Sequence, residues 1–117
     1  MPSNSGKTIK RAVNKSAIKL PVQSVSHRAS TIEWLQSDAE HAAALLEAAL
    51  ETGDTSDFMA ALRLVAEAQG GVTRMAEATG LNREALYRTL SKKGNPQLSS
   101  LLPILQAAGL RLAVRAV

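Results

Sequence analysis

The chain has 117 residues and a mass of 12.4 kDa, which is the size of one domain with a short tail. Its residues are 45% hydrophobic but only 3% aromatic, so a core must be built mainly from Ala and Leu, which favour helices. The absence of cysteine excludes disulfides and thiolate metal sites, and no apolar run reaches the length of about 18 residues that spans a bilayer. With a net charge of +4, the sequence predicts a cytoplasmic, mostly helical domain that does not enter a membrane.

The first 30 residues form a basic segment. They contain six Lys and Arg residues and no acid, together with two prolines and no sustained apolar period. Low hydrophobicity with unopposed positive charge is typical of a flexible arm, and the missing apolar region argues against a secretory signal. We therefore divide the chain into a basic arm at 1–30 and a helical domain at 31–117.

Residues 31–71 carry the opposite charge, with eight acids against a single base. Apolar residues recur there at steps of three and four, which predicts a short helix near 31–36 and a longer one near 38–51. Ser37, with Glu40 three residues later, has the pattern of a capping box at the start of the longer helix.

The charge changes sign again after the next helix. Asp54 is placed to cap that helix, which ends at the Gly70-Gly71 pair. Residues 72–117 then carry seven bases and only two acids. This basic third is the natural candidate for contact with a polyanion, because neutralising phosphates releases their condensed counterions. The alternative is a solvated surface without a partner.

The segment 72–91 reads VTRMAEATGLNREALYRTLS. It predicts two short helices, near 72–78 and 83–91, joined by a tight turn at Gly80, with Asn82 as the cap of the second helix. In a helix-turn-helix, the second helix lies in the DNA major groove. The inward residues have the spacing of that unit: Met75, Ala76, Gly80, Leu81 and Leu86.

The outward residues of the second helix are polar or amphipathic, as DNA recognition requires. An arginine can donate two hydrogen bonds to guanine, and a glutamate can accept one from cytosine. The loop after the helix adds cations for backbone phosphates. An ordinary helical hairpin with a solvated face is the alternative. The candidate DNA-binding residues are Arg74, Asn82, Arg83, Glu84, Tyr87, Arg88, Ser91, Lys92, Lys93 and Asn95.

One more helix and a strand complete the predicted elements. The helix is expected from Ser99 or Ser100 to Gly109, with Pro103 in its first turn, where proline is tolerated. Residues 110–117 alternate between apolar and polar in their first half, which predicts a short strand. A lone strand needs a partner strand, from the arm, a second copy or another protein.

Four segments together resemble one protein family: AALETGD at 48–54, ALRLVAEAQGG at 61–71, AEATGLNREALYRTLSKKGNP at 76–96 and AAGLRLAV at 107–114. They are similar to the HigA-like addiction-module antidotes, a subgroup of the lambda-repressor-like (XRE) helix-turn-helix proteins. The resemblance implies an all-α, lambda-repressor-like five-helix domain, here with an extra N-terminal helix and a short C-terminal β-strand. It also implies an antitoxin whose partner is a RelE/HigB-like ribonuclease toxin and which represses their shared promoter.

The same resemblance assigns roles to individual residues. Asn82 caps the second motif helix and touches the DNA backbone, and Thr73 matches a phosphate-contacting position that is often Gln in these repressors. Thr89 stands where a large apolar residue is usual, and the adjacent Leu90 is expected to take over its packing. Residues 1–30 fall outside the resemblance. Base-edge contacts fall to Arg83, Glu84 and Arg88.

No residue pattern supports catalysis. His27 and His41 have no further His or Cys to complete a metal site, and no Ser-His-Asp triad is recognisable. We expect no enzyme, no metal and no cofactor, but an antitoxin and repressor that dimerises and reads an inverted repeat in its operator. The alternatives are a stand-alone phage-type repressor without a toxin and a helical adaptor that binds only protein.

Overall fold

Six α-helices make up the described part of the computed structural model, which covers residues 25–91 and 93–117. These residues contain no β-strand, which agrees with the predicted all-α class. Within them, no helix is long and apolar enough to cross a membrane. In chain order the helices are α1 (Val25–Ser37), α2 (Ala39–Glu51), α3 (Thr55–Ala68), α4 (Gly71–Thr79), α5 (Arg83–Thr89) and α6 (Leu98–Ala107).

Helix α3 is the centre of the packing. It contacts α1, α2 and α4, and its side chains Ala61 and Leu62 are 0% exposed. Helix α2 packs Leu45 and Ala49 against it. Because many of the contacting residues are alanines, the axes of neighbouring helices can approach closely. The core is aliphatic, as the composition predicted.

Helix α1 begins earlier than the helix that was predicted near 31–36. Residues 1–24 of the predicted basic arm lie outside the described residues, but residues 25–30 belong to α1. Only the second half of this helix has an apolar pattern, and the helix is also held by contacts with α3. Arg28 pairs with Glu67, and the Gln36 amide donates to the carbonyl of Ala68 at 3.2 Å. Such long-range contacts leave no local sequence signal.

The joint between α1 and α2 shows that one predicted cap is wrong. Asp38, and not Ser37, caps α2, since its carboxylate accepts from the N–H of Glu40 at 2.9 Å. The Ser37 hydroxyl donates to the carbonyl of Trp34 at 2.7 Å, so it closes α1 instead. The ring of Trp34 stacks on that of His41, with the ring centres 4.3 Å apart.

At the start of α3 the predicted cap, Asp54, is confirmed. The Asp54 carboxylate accepts from both the hydroxyl and the N–H of Ser56, at 2.8 and 2.9 Å. These two bonds hold the pKa of Asp54 below its ordinary value of 3.8, because both stabilise the charged carboxylate. The bond from the hydroxyl has the larger effect and the bond from the N–H the smaller.

The C-terminal end departs from the sequence analysis in two ways. Helix α6 begins at Leu98 rather than at Ser99 or Ser100, so Pro103 lies in its second turn and not in the first. Residues 110–117 have no regular secondary structure, although a strand was predicted there. A strand forms only when it is paired, and the described residues of this single chain offer no other strand.

Candidate nucleic-acid interface

Helices α4 and α5 meet in the predicted tight turn. Gly80 adopts the left-handed conformation with φ of 76°, and its N–H donates to the carbonyl of Ala76 at 2.9 Å. This φ favours glycine, as the sequence predicted. Thr79 reinforces the turn, because its hydroxyl donates to the carbonyl of Met75 and accepts from the N–H of Leu81.

Three large side chains anchor the two helices to the core. Met75 of α4 and Leu86 of α5 are each 1% exposed, and Leu90, just after α5, is 4% exposed. Thr89 is only half-buried. The prediction that Leu90 takes over the packing role at this point is therefore confirmed.

The first turn of α5 is capped as predicted. The Asn82 side-chain oxygen accepts from the N–H of Ala85 at 3.0 Å, which satisfies one of the free amides at the helix start. This bond fixes where the helix begins.

The outward face of α5 carries four of the predicted site residues on one side of the helix. Arg83, Glu84, Tyr87 and Arg88 are all exposed, and their spacing of one, four and five residues places them on a common face. The guanidinium of Arg83 lies over the ring of Tyr87, 5.9 Å from its centre. This contact holds the arginine along the helix face.

The remaining predicted residues come before and after α5 in the sequence. Thr73 and Arg74 lie in the first turn of α4, and Ser91, Lys93 and Asn95 follow α5; all five are exposed. Lys92 lies outside the described residues. The roles of these residues in DNA contact stay predictions.

Within the described residues, the arginines Arg74, Arg83 and Arg88 form no ion pair, although Arg83 lies over the ring of Tyr87. Their positive charge is therefore not neutralised internally and is open to an anionic ligand. Among all residues that the structure describes, no group of three or more His, Asp or Glu side chains is placed to hold a metal ion.

The end of α5 shows two residues that the sequence analysis did not select. The guanidinium Nη1 of Arg63, on α3, donates to the carbonyl of Leu90 at 3.3 Å. Gly94 approaches from the other direction: a Cβ at this position would overlap the carbonyl of Thr89. Arg63 did carry a signal, because it is the only base among eight acids in residues 31–71.

Comparison with known families gives one match. A family model described as "Probable addiction module antidote protein" matches residues 27–116, which is most of the chain and all of its helices from α2 to α6. No curated protein and no solved structure matches the chain significantly.

Proposed function

Because the chain belongs to the family of probable addiction module antidote proteins, we propose that it is the antitoxin of a two-component module. In this proposal it neutralises a RelE/HigB-like toxin by direct binding in the cytoplasm. It also binds the operator of its own operon through α4 and α5 and represses it. The observation that carries the DNA-binding part is the exposed face of α5, whose arginines have no ion-pair partner in the described residues.

The chemistry of this face suits base recognition. Arg83 and Arg88 can each donate two hydrogen bonds to a guanine edge, and Glu84 can accept from a cytosine amino group. Helix α5 spans only seven residues, or about 10 Å, so one copy reads a short half-site. A homodimer with two such helices about one DNA turn apart would read an inverted repeat.

A different surface is proposed for the toxin. Helices α1 and α2 carry the exposed acids Glu33, Glu40, Glu47 and Glu51. An RNA-cleaving toxin needs a basic surface to hold its substrate, and an acidic surface would cover it by charge complementarity. Division of the two activities between α1–α2 and α5 predicts that each can be removed without the other.

The C-terminal residues are proposed to contribute to assembly. Leu112 and Val114 are exposed, at 47% and 91%, and alternate with polar neighbours as in a strand. Residues 110–117 would become a strand on pairing with the same residues of a second copy or with an edge strand of the toxin.

Co-purification tests the antitoxin proposal. The tagged chain is expressed together with the genes on either side of its own. We expect a small basic protein to co-purify stoichiometrically, and its toxicity to growth to be suppressed by this chain. If no partner is retained, the antitoxin proposal fails.

A gel-shift assay with DNA from upstream of the gene then tests the remaining alternatives. Retarded DNA with a steep salt dependence, in the absence of any toxin, would identify a stand-alone repressor. No DNA binding at any salt concentration would leave a protein-binding adaptor.

A further inference from the structure

Helix α5 is held to the rest of the domain by few contacts. It is seven residues long, and of its own residues only Leu86 is buried, with Leu90 following at its end. Leu86 and Leu90 are four residues apart, so they lie one above the other on one side of the helix. Two contacts on a single line do little to stop the helix from rotating about that line. A further contact is needed to fix the direction in which the outward side chains point.

Arg63 provides such a contact from the most buried helix of the fold. Its guanidinium donates to the carbonyl of Leu90, across 27 positions in the sequence. That carbonyl lies at the C-terminal end of α5, where the helix has its partial negative charge. The bond is therefore a charge-assisted one, and it ties the end of α5 to α3.

Two further contacts meet at the same end of α5. The backbone at Gly94 lies so close to the carbonyls of Thr89 and Arg88 that no side chain fits there. The Ser91 hydroxyl donates to the carbonyl of Arg88 at 2.8 Å. Arg63, Ser91 and Gly94 thus all contact backbone carbonyls at the last turn of α5.

From this geometry we propose that Arg63 is a positioning residue for DNA recognition: it sets the orientation of α5, and so of Arg83 and Arg88, without touching the DNA. The inference rests on the proposed binding of DNA by α5. It assigns a role to Arg63 that is distinct from a phosphate contact, because the side chain is half-buried and directed at a backbone carbonyl.

Two variants of the full chain test the bond from Arg63 to the carbonyl of Leu90. Arg63→Met keeps the length of the side chain but has neither donor nor charge, whereas Arg63→Lys keeps a charged donor. Arg28→Met is the matched control, because the Arg28 side chain ties α1 rather than α5 to α3 through Glu67. The probes are a 30-base-pair duplex from upstream of the gene and a duplex of the same composition in scrambled order, measured by fluorescence anisotropy over a range of salt.

A positioning role predicts a loss of specificity alone. For Arg63→Met we expect about a tenfold weaker affinity for the upstream duplex, equal to about one mispositioned base contact. The affinity for the scrambled duplex and the salt slope should not change, and Arg63→Lys should recover part of the loss. Equal losses on both duplexes, with a salt slope smaller by about one, would show a phosphate contact and overturn the proposal.

Hydrogen exchange of the protein without DNA tests the positioning separately. In Arg63→Met the amides of α5 and of residues 91–95 should exchange faster, while those of α2 keep their wild-type rates. Unchanged exchange in α5 would overturn the proposed role of Arg63 even if the protein binds DNA. Faster exchange in α5 of a protein that binds neither duplex would instead contradict the proposed function alone.

Discussion

The guanidinium of Arg83 lies over the ring of Tyr87, 5.9 Å from its centre, and both side chains are exposed on the same face of α5. The two residues are one helical turn apart, so their contact depends only on the helix. The arginine is thereby restricted before any DNA arrives, which lowers the entropy that binding must remove.

Removal of the ring should therefore weaken DNA binding. Tyr87→Ala is expected to lower the affinity for the upstream duplex by about two- to fivefold, because binding must then immobilise an unrestricted arginine at a cost of about 0.5–1 kcal/mol. Tyr87→Phe keeps the ring and should bind like the wild type. Equal losses in both variants would show that the hydroxyl, not the ring, is required.

Removal of both arginines of the α5 face should abolish operator binding. Two bidentate base contacts of about 1–3 kcal/mol each predict that Arg83→Ala with Arg88→Ala lowers the affinity at least about 30-fold. The folded double variant should still retain the toxin in a co-purification. Loss of toxin binding in the folded α5 variant would reject the proposed division of the two activities.

The cap of α5 should contribute to stability. Asn82→Ala removes the acceptor for the N–H of Ala85, and we expect the free energy of unfolding to fall by about 1 kcal/mol. Asn82→Ser retains a capping oxygen and should lose much less. Chemical denaturation measures both, and similar losses for the two variants would mean that the cap is not the cause.

Two glycine substitutions should act for different reasons. Gly94→Ala places a methyl group on the carbonyl of Thr89, and it should cost about 1–3 kcal/mol of stability, as overpacking does, and also weaken DNA binding by displacing α5. Gly53→Ala meets no neighbouring atom but has a φ of 76°, so its cost of about 1–2 kcal/mol is backbone strain alone. Unaltered DNA binding in folded Gly94→Ala would contradict the role of this close approach.

The cap of α3 should make stability depend on acid pH. The pKa of Asp54 is lowered in the folded protein by its bonds from Ser56, so this stabilisation is present above the ordinary value of 3.8 and is lost as the pH falls through the folded pKa. Asp54→Asn keeps a capping oxygen without a titrating group, and Ser56→Ala removes the hydroxyl donor. Both should show a smaller drop in Tm between pH 6 and about 2.5 than the wild type.

The sequence predicted well those helices whose apolar period, caps and terminating glycines lie within or next to the helix itself. Helices α2 to α5 have an apolar period or end at glycines, and Asp54 and Asn82 cap them in the expected way. Helix α1 was predicted too short because only its second half has an apolar pattern, with Leu35 buried in the core. In its first half the contact of Arg28 with Glu67 on α3 has no local sequence signal.

In the candidate site, too, the features with a local sequence signal were predicted and those that depend on distant residues were not. The exposure of the α5 face follows from its helical period, as the inward positions of Leu86 and Leu90 do. The bond from Arg63 to the carbonyl of Leu90 joins residues 27 positions apart. The sequence marks Arg63 as a lone base among acids, but it does not indicate the partner of that side chain. Whether residues 110–117 form a strand depends on a second chain, which the sequence of one chain does not specify.

The opposite charges of this chain lie mostly in different segments, with the acids concentrated in residues 31–71 and most of the described bases in α4, α5 and the residues that follow. Separated charges on one folded body give it an electric dipole moment. If α5 binds DNA as proposed, the field of the duplex would exert a torque on the approaching molecule and turn its basic helices towards the phosphates before contact. A molecule that has been rotated in this way needs fewer collisions to find the productive orientation.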